Sequence, residues 1–144
     1  GWGNSPPAEQ ARRSIYIHVK RSLLTPILAD FDLADPDTSC PVRFTTTQPT
    51  QALGMINGDF LHAQARVFAE RVRREAGGTN AEKTAAMVRR AIEIALVRPA
   101  TETEVERGVA LIDDLETTDG VGPARALELY CLMVLNLNEF AYLD

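Results

Sequence analysis

The C-terminal segment that begins at Pro123 carries apolar side chains on nearly every side of a helix, and this feature constrains the fold most. The apolar residues are Leu127, Leu129, Tyr130, Cys131, Leu132, Met133, Val134 and Leu135. A helix that is apolar all round is buried, because it has no face suited to water. The apolar run is interrupted by Glu128 and Asn136 and is too short to span a bilayer. The sequence therefore predicts a buried central helix on which the other helices pack.

Two amphipathic helices are predicted before this segment, starting after the turn at Asn57-Gly58. The first ends at Gly77-Gly78, where glycine adopts the left-handed closing conformation at little cost. The second is capped by Thr79 or Asn80 and ends before Pro99. Their apolar faces follow helical spacing: Phe60, Leu61, Ala65, Phe68, Ala69 and Val72 in the first, and Ala85, Val88, Ile92, Ala95 and Leu96 in the second.

A third amphipathic helix is predicted to start at a capping box formed by Thr101 and Glu104. In a capping box the Thr oxygen accepts from the backbone of the first turn, and the Glu three residues on reaches back. The predicted buried stripe is Val105, Val109, Ile112 and Leu115, and the predicted water-facing acids are Glu102, Glu106, Asp113, Asp114 and Glu116.

The first third of the chain is less regular. A short helix is predicted from Gln48 to Ile56, with Thr47 as its cap and Pro49 in its first turn. Residues 15–27 fit a helix that Pro26 ends, and the alternation at 15–20 leaves a strand as an open alternative. Residues 30–46 are rich in Pro and Asp and are predicted to form a long ordered loop, with a short strand at 42–45 as a second alternative.

These elements predict a mainly α fold: a compact helical bundle around a buried C-terminal helix, with a long ordered loop and up to two short strands in the N-terminal third. We expect residues 1–11 to form a flexible tail and residues 12–144 to form a single helical domain. The chain starts at Gly1 without an initiator Met, so we interpret it as a processed product or an excised piece of a longer protein.

Charge and cysteine content narrow the classes of function. The net charge is −5, with +1 over residues 1–76 (9 basic, 8 acidic) and −6 over residues 77–144 (6 basic, 12 acidic). This balance gives no reason to expect nucleic acid, although a local basic cluster around Arg12, Arg13, Lys20 and Arg21 is left open as the alternative to a solvated face. No segment suited to membrane insertion is present. Cys40 and Cys131 lie far apart without a metal-binding or haem-attachment spacing. Two free buried thiols are the favoured interpretation, and a disulfide remains the alternative for an exported parent.

No complete catalytic or metal-binding motif is present in the sequence. The two histidines, His18 and His62, lack a second ligand at helical spacing, which favours surface or core-edge positions. The paired acids fall on faces predicted to be solvated, whereas acid–base catalysis needs a carboxylate in a cleft. We therefore predict no catalytic residues, no metal and no cofactor within this segment.

Polar residues beside apolar ones form two signatures, one near each end of the chain. The first runs through Arg12-Arg13-Ser14-Ile15-Tyr16, Lys20-Arg21, Phe31-Asp32, Cys40, Arg43, Thr45-Thr46-Thr47, Gln51-Ala52-Leu53 and Asn57. The second is the terminal stretch from Leu135 to Asp144. In this order the residues resemble the C-terminal domain of unknown function found in large planctomycete-type secreted proteins, over Arg12 to Asp144.

The resemblance implies that the parent is secreted or periplasmic and carries a cytochrome-c-like domain, so that any haem lies in another domain. The family has no established catalytic residues to carry over. The signature positions form a candidate polar cluster at which the two chain ends would meet: Arg13, Tyr16, Arg43, Gln51, Asn57, Asn138 and Glu139. In the favoured interpretation these groups are structural, and Glu139 pairs with an arginine such as Arg13 or Arg43.

Two hypotheses of function follow. The first is a non-catalytic interaction or scaffold domain that packs against other domains of its parent. The second is part of an enzyme that acts on carbohydrate or another polar ligand, with a site shared across domains and an arginine fork for an anionic group. Internally paired side chains favour the first, and an open cleft would favour the second.

Overall fold

The structure, a computed structural model, describes residues 6, 9, 12–16, 24, 26–31, 33–34, 37–39, 42, 49–77 and 82–142. The chain divides into two compact units, residues 1–48 and residues 49–144, and each is considered by itself. The prediction of a tail over 1–11 and a single domain over 12–144 stays a prediction.

The described part of the first unit contains a 3₁₀ turn, Ser14–Tyr16, and helix α1, Pro26–Asp30. Pro26 was expected to end a helix and instead begins one, because proline lacks the N–H that the first helical position leaves unpaired. Val42 lies in a bend, while residues 17–23 and 43–45, where the strand alternatives fall, lie outside the described residues.

The second unit is a helical bundle, as the sequence predicts. Its helices are α2 (Pro49–Asn57), α3 (Asp59–Glu75), α4 (Lys83–Leu96), α5 (Glu102–Thr117), α6 (Pro123–Leu135) and α7 (Asn138–Ala141). Helix α6 contacts α3, α4, α5 and α7, so it is the central element of this unit. The short helix predicted at 48–56 is α2, and its predicted cap Thr47 lies outside the described residues.

Burial of α6 follows directly from its composition. Leu127 and Tyr130 are at most 2% exposed, and Cys131 and Val134 are fully buried. Cys131 is a free thiol, and burial raises its pKa to about 12, so it stays protonated and unreactive at neutral pH. Burial likewise raises the pKa of the Tyr130 hydroxyl. The free-thiol interpretation therefore holds for Cys131, while Cys40 lies outside the described residues.

The ends of α3 and α4 differ in part from expectation. Helix α3 ends at Glu75 with Ala76 in an extended conformation, and Gly77 does not adopt the left-handed conformation predicted for Gly77-Gly78, while Gly78 lies outside the described residues. The physical reason is that the Ala76 N–H already bonds the Val72 carbonyl oxygen at 2.8 Å, and the chain then leaves in an extended direction. Helix α4 starts at Lys83, and the predicted caps Thr79 and Asn80 lie outside the described residues.

The capping box at the start of α5 is confirmed. The Glu104 backbone N–H donates to Thr101 Oγ1 at 3.3 Å, and the Thr101 backbone N–H donates to Glu104 Oε2 at 2.8 Å. Each bond satisfies a backbone N–H that the first turn of a helix leaves without a partner. The box therefore fixes both the starting residue of α5 and the orientation of the Glu104 carboxylate.

Helix α5 approaches its neighbours closely at Gly108. A Cβ atom built on this glycine would lie 2.7 Å from Val88 Cγ1 on α4 and 3.0 Å from Tyr130 Cε2 on α6. Both distances are shorter than ordinary contact between carbon atoms. The missing side chain therefore allows α5 to sit against α4 and α6 at the same point.

Helix α4 ends at a strained residue. Val97 has φ 55° and ψ 32°, the left-handed conformation, and its side chain is 88% exposed. A β-branched residue is an outlier in this region, because its Cβ approaches the following carbonyl oxygen. The conformation turns the chain sharply between α4 and Arg98.

We expect Val97→Gly to raise the free energy of unfolding by about 1 kcal/mol, because glycine adopts this conformation without the steric cost. Urea denaturation followed by circular dichroism measures the change. Ala110→Gly, at an exposed position inside α5, is the control and should lower stability by about 1 kcal/mol. If Val97→Gly lowered the stability as much as Ala110→Gly does, the backbone at Val97 would not be strained.

Candidate functional site

The second unit gathers charged groups around Arg98, in the link between α4 and α5. Val97 turns the chain out of α4, and Pro99 follows, so that Arg98 lies beside the first turn of α5. The capping box presents Glu104 from α5, and the first turn of α7 presents Glu139. We call Arg98, Thr101, Glu104 and Glu139 the Arg98 cluster.

Arg98 uses every N–H of its guanidinium within this cluster. Nε and Nη2 donate to the two Glu139 oxygens at 2.7 and 2.8 Å. Nη2 and Nη1 donate to the two Glu104 oxygens at 2.7 and 3.1 Å, and Nη1 also donates to the Pro99 carbonyl oxygen at 3.2 Å. Since a guanidinium has five N–H groups, no donor remains for an external anion. Arg98 therefore joins the first turns of α5 and α7 through hydrogen bonds that leave none of its N–H groups unpaired.

The electrostatics of the cluster match its geometry. The Arg98 hydrogen bonds, followed by those from Thr101, lower the pKa of Glu104 to about 2. Hydrogen bonds from Arg98 also lower the pKa of Glu139, and the two carboxylates raise the pKa of Arg98. Both acids are therefore charged at neutral pH and unsuited to donating a proton in catalysis.

We expect Arg98→Met to destabilise the fold at pH 7, with a lower thermal midpoint, because two carboxylates lose their partner. A carboxyl group whose pKa is lower in the folded than in the unfolded state stabilises the fold above the unfolded pKa. That contribution is lost as pH falls from about 4.5 towards about 2. The difference in thermal midpoint between wild type and Arg98→Met should therefore shrink over this window.

Arg89→Met is the matched control for this prediction. Arg89 donates to Glu102 at 3.1 and 3.3 Å, but this pair is exposed and involves a single carboxylate. Exposed pairs contribute little to stability. Thermal unfolding monitored from pH 2 to pH 7 separates the two variants, and an equal effect of both would show that the Arg98 cluster has no special role.

A second polar contact joins the end of the described chain to α2. The Tyr142 hydroxyl donates to Gln51 Oε1 at 3.1 Å, and Gln51 is 2% exposed. The Tyr142 backbone N–H bonds the Asn138 carbonyl oxygen at 2.9 Å, which fixes Tyr142 at the end of α7. The contact therefore brings Gln51 close to the helix that carries Asn138 and Glu139.

The structure gives the remaining sequence candidates varied surroundings. Asn57 and Asn138 are exposed at the end of α2 and the start of α7. In the first unit, Arg13 is exposed and Tyr16 lies under the Arg12 guanidinium, 4.3 Å from the ring centre. Arg43 lies outside the described residues. That both chain ends meet in one polar cluster stays a prediction.

The sequence had named Arg13 or Arg43 as examples of a partner for Glu139, and the structure gives it Arg98 instead. The two residues are 41 positions apart, so no local spacing links them. The one local signal was the capping box, which placed Glu104 beside the α4–α5 link. Asn136 Nδ2 donates to the Leu132 carbonyl oxygen at 2.7 Å, so this amide satisfies backbone of the last turn of α6.

The described residues offer few other features for chemistry. No group of three potential metal ligands occurs among them. In the same part of the chain, every helix is too short or too polar to span a lipid bilayer. His62 Nε2 lies 3.0 Å from the Ile56 carbonyl oxygen and links α3 to α2, which confirms a core-edge role for this histidine. His18 lies outside the described residues.

One open depression lies between the end of α3 and helix α4. It has a volume of about 480 Å³ and is lined by Glu75, Ala76, Gly77, Ala86, Arg89, Arg90 and Glu93. Its charges are matched, since Arg90 bonds Glu75 at 2.7 Å and Glu93 at 3.2 Å. Arg90, and then Arg71, lower the pKa of Glu75 by hydrogen bonding. Arg89 is paired outside the depression, since its Nη2 donates to Glu102.

Large apolar side chains are uncovered along α2 and α3. Leu53 and Ile56 on α2 are at least half exposed, and Phe60 and Val67 on α3 are 49% and 61% exposed. Ala63, between the last two on the same face, is also exposed. We call Phe60, Ala63 and Val67 the α3 seam. Its opposite face, Leu61, Ala65, Ala69 and Val72, is buried in the bundle.

Comparison with known proteins gives one match. The family model described as PSD1, protein of unknown function (DUF1553), matches residues 2–112. The match includes the N-terminal signature and ends before the C-terminal signature with Asn138 and Glu139. No curated protein and no solved structure shows significant similarity.

Proposed function

We propose that this chain, which belongs to the PSD1 family of proteins of unknown function (DUF1553), is a non-catalytic interaction domain. In this proposal it packs against other domains of a longer, exported, haem-associated parent protein. The planctomycete-type resemblance supports the exported location and is the reason to expect any haem in another domain. The closed state of the Arg98 cluster is the observation that carries the non-catalytic part.

The closure of the polar groups supports a structural role for them. Arg98 has all five N–H groups bonded, and Glu139 gives both oxygens to it. Gln51 is buried and accepts from Tyr142. An enzyme site needs groups that are free to bind a substrate and exchange protons with it. Among the described members of the candidate cluster, Gln51 and Glu139 are used in holding helices together.

The uncovered apolar side chains of α2 and α3 support an interaction role. Single exposed apolar residues are common, but Phe60 and Val67 lie on one face of α3 with Ala63 between them, and grouped exposed apolar residues are typical of a surface that binds another protein. The buried face of α3 already serves the core of the second unit. The outward face is therefore available to a partner without any change in the fold.

The proposal is tested by titrating this chain into the separately produced remainder of its parent, using calorimetry. Domains of one chain meet at effective concentrations in the millimolar range, so a dissociation constant below about 100 μM is expected. A control titration with unrelated protein of similar charge should give no heat of binding. A concentration of about 500 μM is below the effective concentration of two domains joined in one chain. Absence of association at that concentration would overturn the proposal.

A further inference from the structure

The α3 seam has the spacing of a helix that packs against another helix. Phe60, Ala63 and Val67 are separated by three and then four residues, and all three face outward. This alternation is that of the a and d positions of a coiled-coil seam. Gly58, at φ −75° and ψ 130°, has an extended backbone and separates α2 from α3. The seam therefore belongs to α3 alone.

The residues beside the seam are predominantly basic. With Phe60 and Val67 at a positions and Ala63 at a d position, the e and g positions flank the seam. They are occupied by Asp59, Gln64, Arg66, Arg71 and Arg73, which carry three positive charges and one negative charge. Beyond Val67 the line of the seam continues with Glu70 and Arg74, one charge of each sign, and the Arg74 side chain is 74% exposed. The flanks therefore have a net charge of +2 in a chain whose net charge is −5.

Two of these arginines are poorly neutralised within the bundle. Arg66 lies 4.0 Å from Glu128 and its side chain is 60% exposed. Arg73 is exposed and forms no ion pair with any residue of the described ranges. By contrast, Arg71 bonds Glu75 at 2.9 Å. Arg66 and Arg73 lie seven residues apart on one side of the seam, where they would meet the flank of a docked helix.

Charge distinguishes the occupant from a second copy of this chain. In a parallel pair of α3 helices, Arg66 would face Arg71 of the other copy, and in an antiparallel pair the Arg66 and Arg73 flanks would face each other. Like charges at these positions oppose pairing. A helix with carboxylates on its flanks would instead bind the same positions favourably.

We propose that the α3 seam binds an acidic amphipathic helix belonging to a neighbouring domain of the parent protein, an inference that rests on the proposed function. Apolar residues of that helix cover Phe60, Ala63 and Val67, and its Asp or Glu residues lie against Arg66 and Arg73. The mode is that of two helices packed along a narrow apolar stripe with charged borders.

Photo-cross-linking in the full-length parent tests this inference. A photo-reactive amino acid replaces Val67, and the same amino acid at Ala110, exposed on α5, is the positional control. The expected result is a cross-link from position 67 to an acidic amphipathic helix in another domain of the same chain, and none from position 110 to that helix.

Charge reversal tests the chemistry of the contact. Arg66→Glu combined with Arg73→Glu should lower the cross-link yield about tenfold, because like charges then face each other. Lys83→Glu combined with Arg107→Glu makes the same change in net charge at exposed positions away from α3, and should leave the yield unchanged. Raising the salt concentration in the unsubstituted parent should also lower the yield, and this measurement needs no variant.

The outcomes separate this inference from the proposed function. A cross-link to another domain that is insensitive to charge reversal and salt overturns the acidic helix and leaves an interaction domain. A cross-link to a second copy, or no cross-link from position 67 while the calorimetric titration shows binding, also overturns the inference alone. Absence of both cross-link and binding overturns the two together.

Discussion

Leu127→Ala is expected to lower the free energy of unfolding by about 3 kcal/mol, because it leaves a cavity in the centre of the bundle. Leu127 is 2% exposed and lies on α6, which contacts four of the other helices of its unit. The surrounding helices are held by their own contacts, so they close the cavity only in part. Urea denaturation at pH 7 measures the loss.

Met133→Ala is the control for this prediction, since Met133 lies on the same helix and is 37% exposed. Its substitution removes less buried apolar surface and should cost well under half as much as Leu127→Ala. If both substitutions had the same effect, the burial of α6 would not be the main source of stability, and the central place of this helix would be wrong.

Gly108→Ala should destabilise the protein by about 2 kcal/mol, although alanine is the better helix former. Alanine gains about 1 kcal/mol in helix propensity, but crowding in a packed core costs up to about 3 kcal/mol. The added methyl group would lie 2.7 Å from Val88 Cγ1 and 3.0 Å from Tyr130 Cε2, so α5 must move away from α4 and α6. The change in denaturation midpoint measures the balance.

Two variants show whether crowding is the cause. Gly77→Ala adds a methyl group where nothing lies within 4 Å, and it should be neutral or slightly stabilising. Combining Gly108→Ala with Val88→Ala removes the nearest obstacle, so the double variant should be more stable than the sum of the single effects predicts. Strict additivity would show that Gly108 is not a packing position.

Local patterns in the sequence predicted much of the second unit. The apolar content of α6 predicted its burial, and the spacing of Thr101 and Glu104 predicted the capping box, because both depend on neighbouring residues alone. The helical class of the fold was also correct. These features depend on contacts within one or two turns, which sequence spacing describes directly.

Contacts between distant residues could not be predicted in the same way. Arg98 and Glu139 are 41 positions apart, and Gln51 and Tyr142 are 91 apart. The sequence indicated that Glu139 would be paired, but several arginines were equally suitable partners. The choice depends on how α4, α5 and α7 pack, which is a property of the whole bundle.

Backbone conformation at helix ends was also difficult to predict. Val97 is a residue type that avoids the left-handed conformation, yet it adopts it, whereas Gly77 could adopt it and does not. Pro26 begins a helix where it was expected to end one. At Val97 and Gly77 the direction in which the chain must leave the helix outweighs the preference of the single residue, whereas Pro26 follows the preference of proline for the first helical position.

The α3 seam was missed because Phe60 was counted among residues of the buried face. Its spacing fits either side of α3, and only the position of α6 decides which side is buried. Two opposite faces of α3 thus carry apolar residues, and the packing of the bundle determines which face remains exposed for a partner.

The contacts of the C-terminal segment also have a consequence for the order of folding. Closing long stretches of chain costs entropy before any contact is gained, so pairs such as Gln51 with Tyr142 are expected to form after the neighbouring helices have docked. Such late contacts hardly change the folding rate and mainly slow unfolding. The contact between Tyr142 and Gln51 would thus affect the rate of unfolding more than the rate of folding.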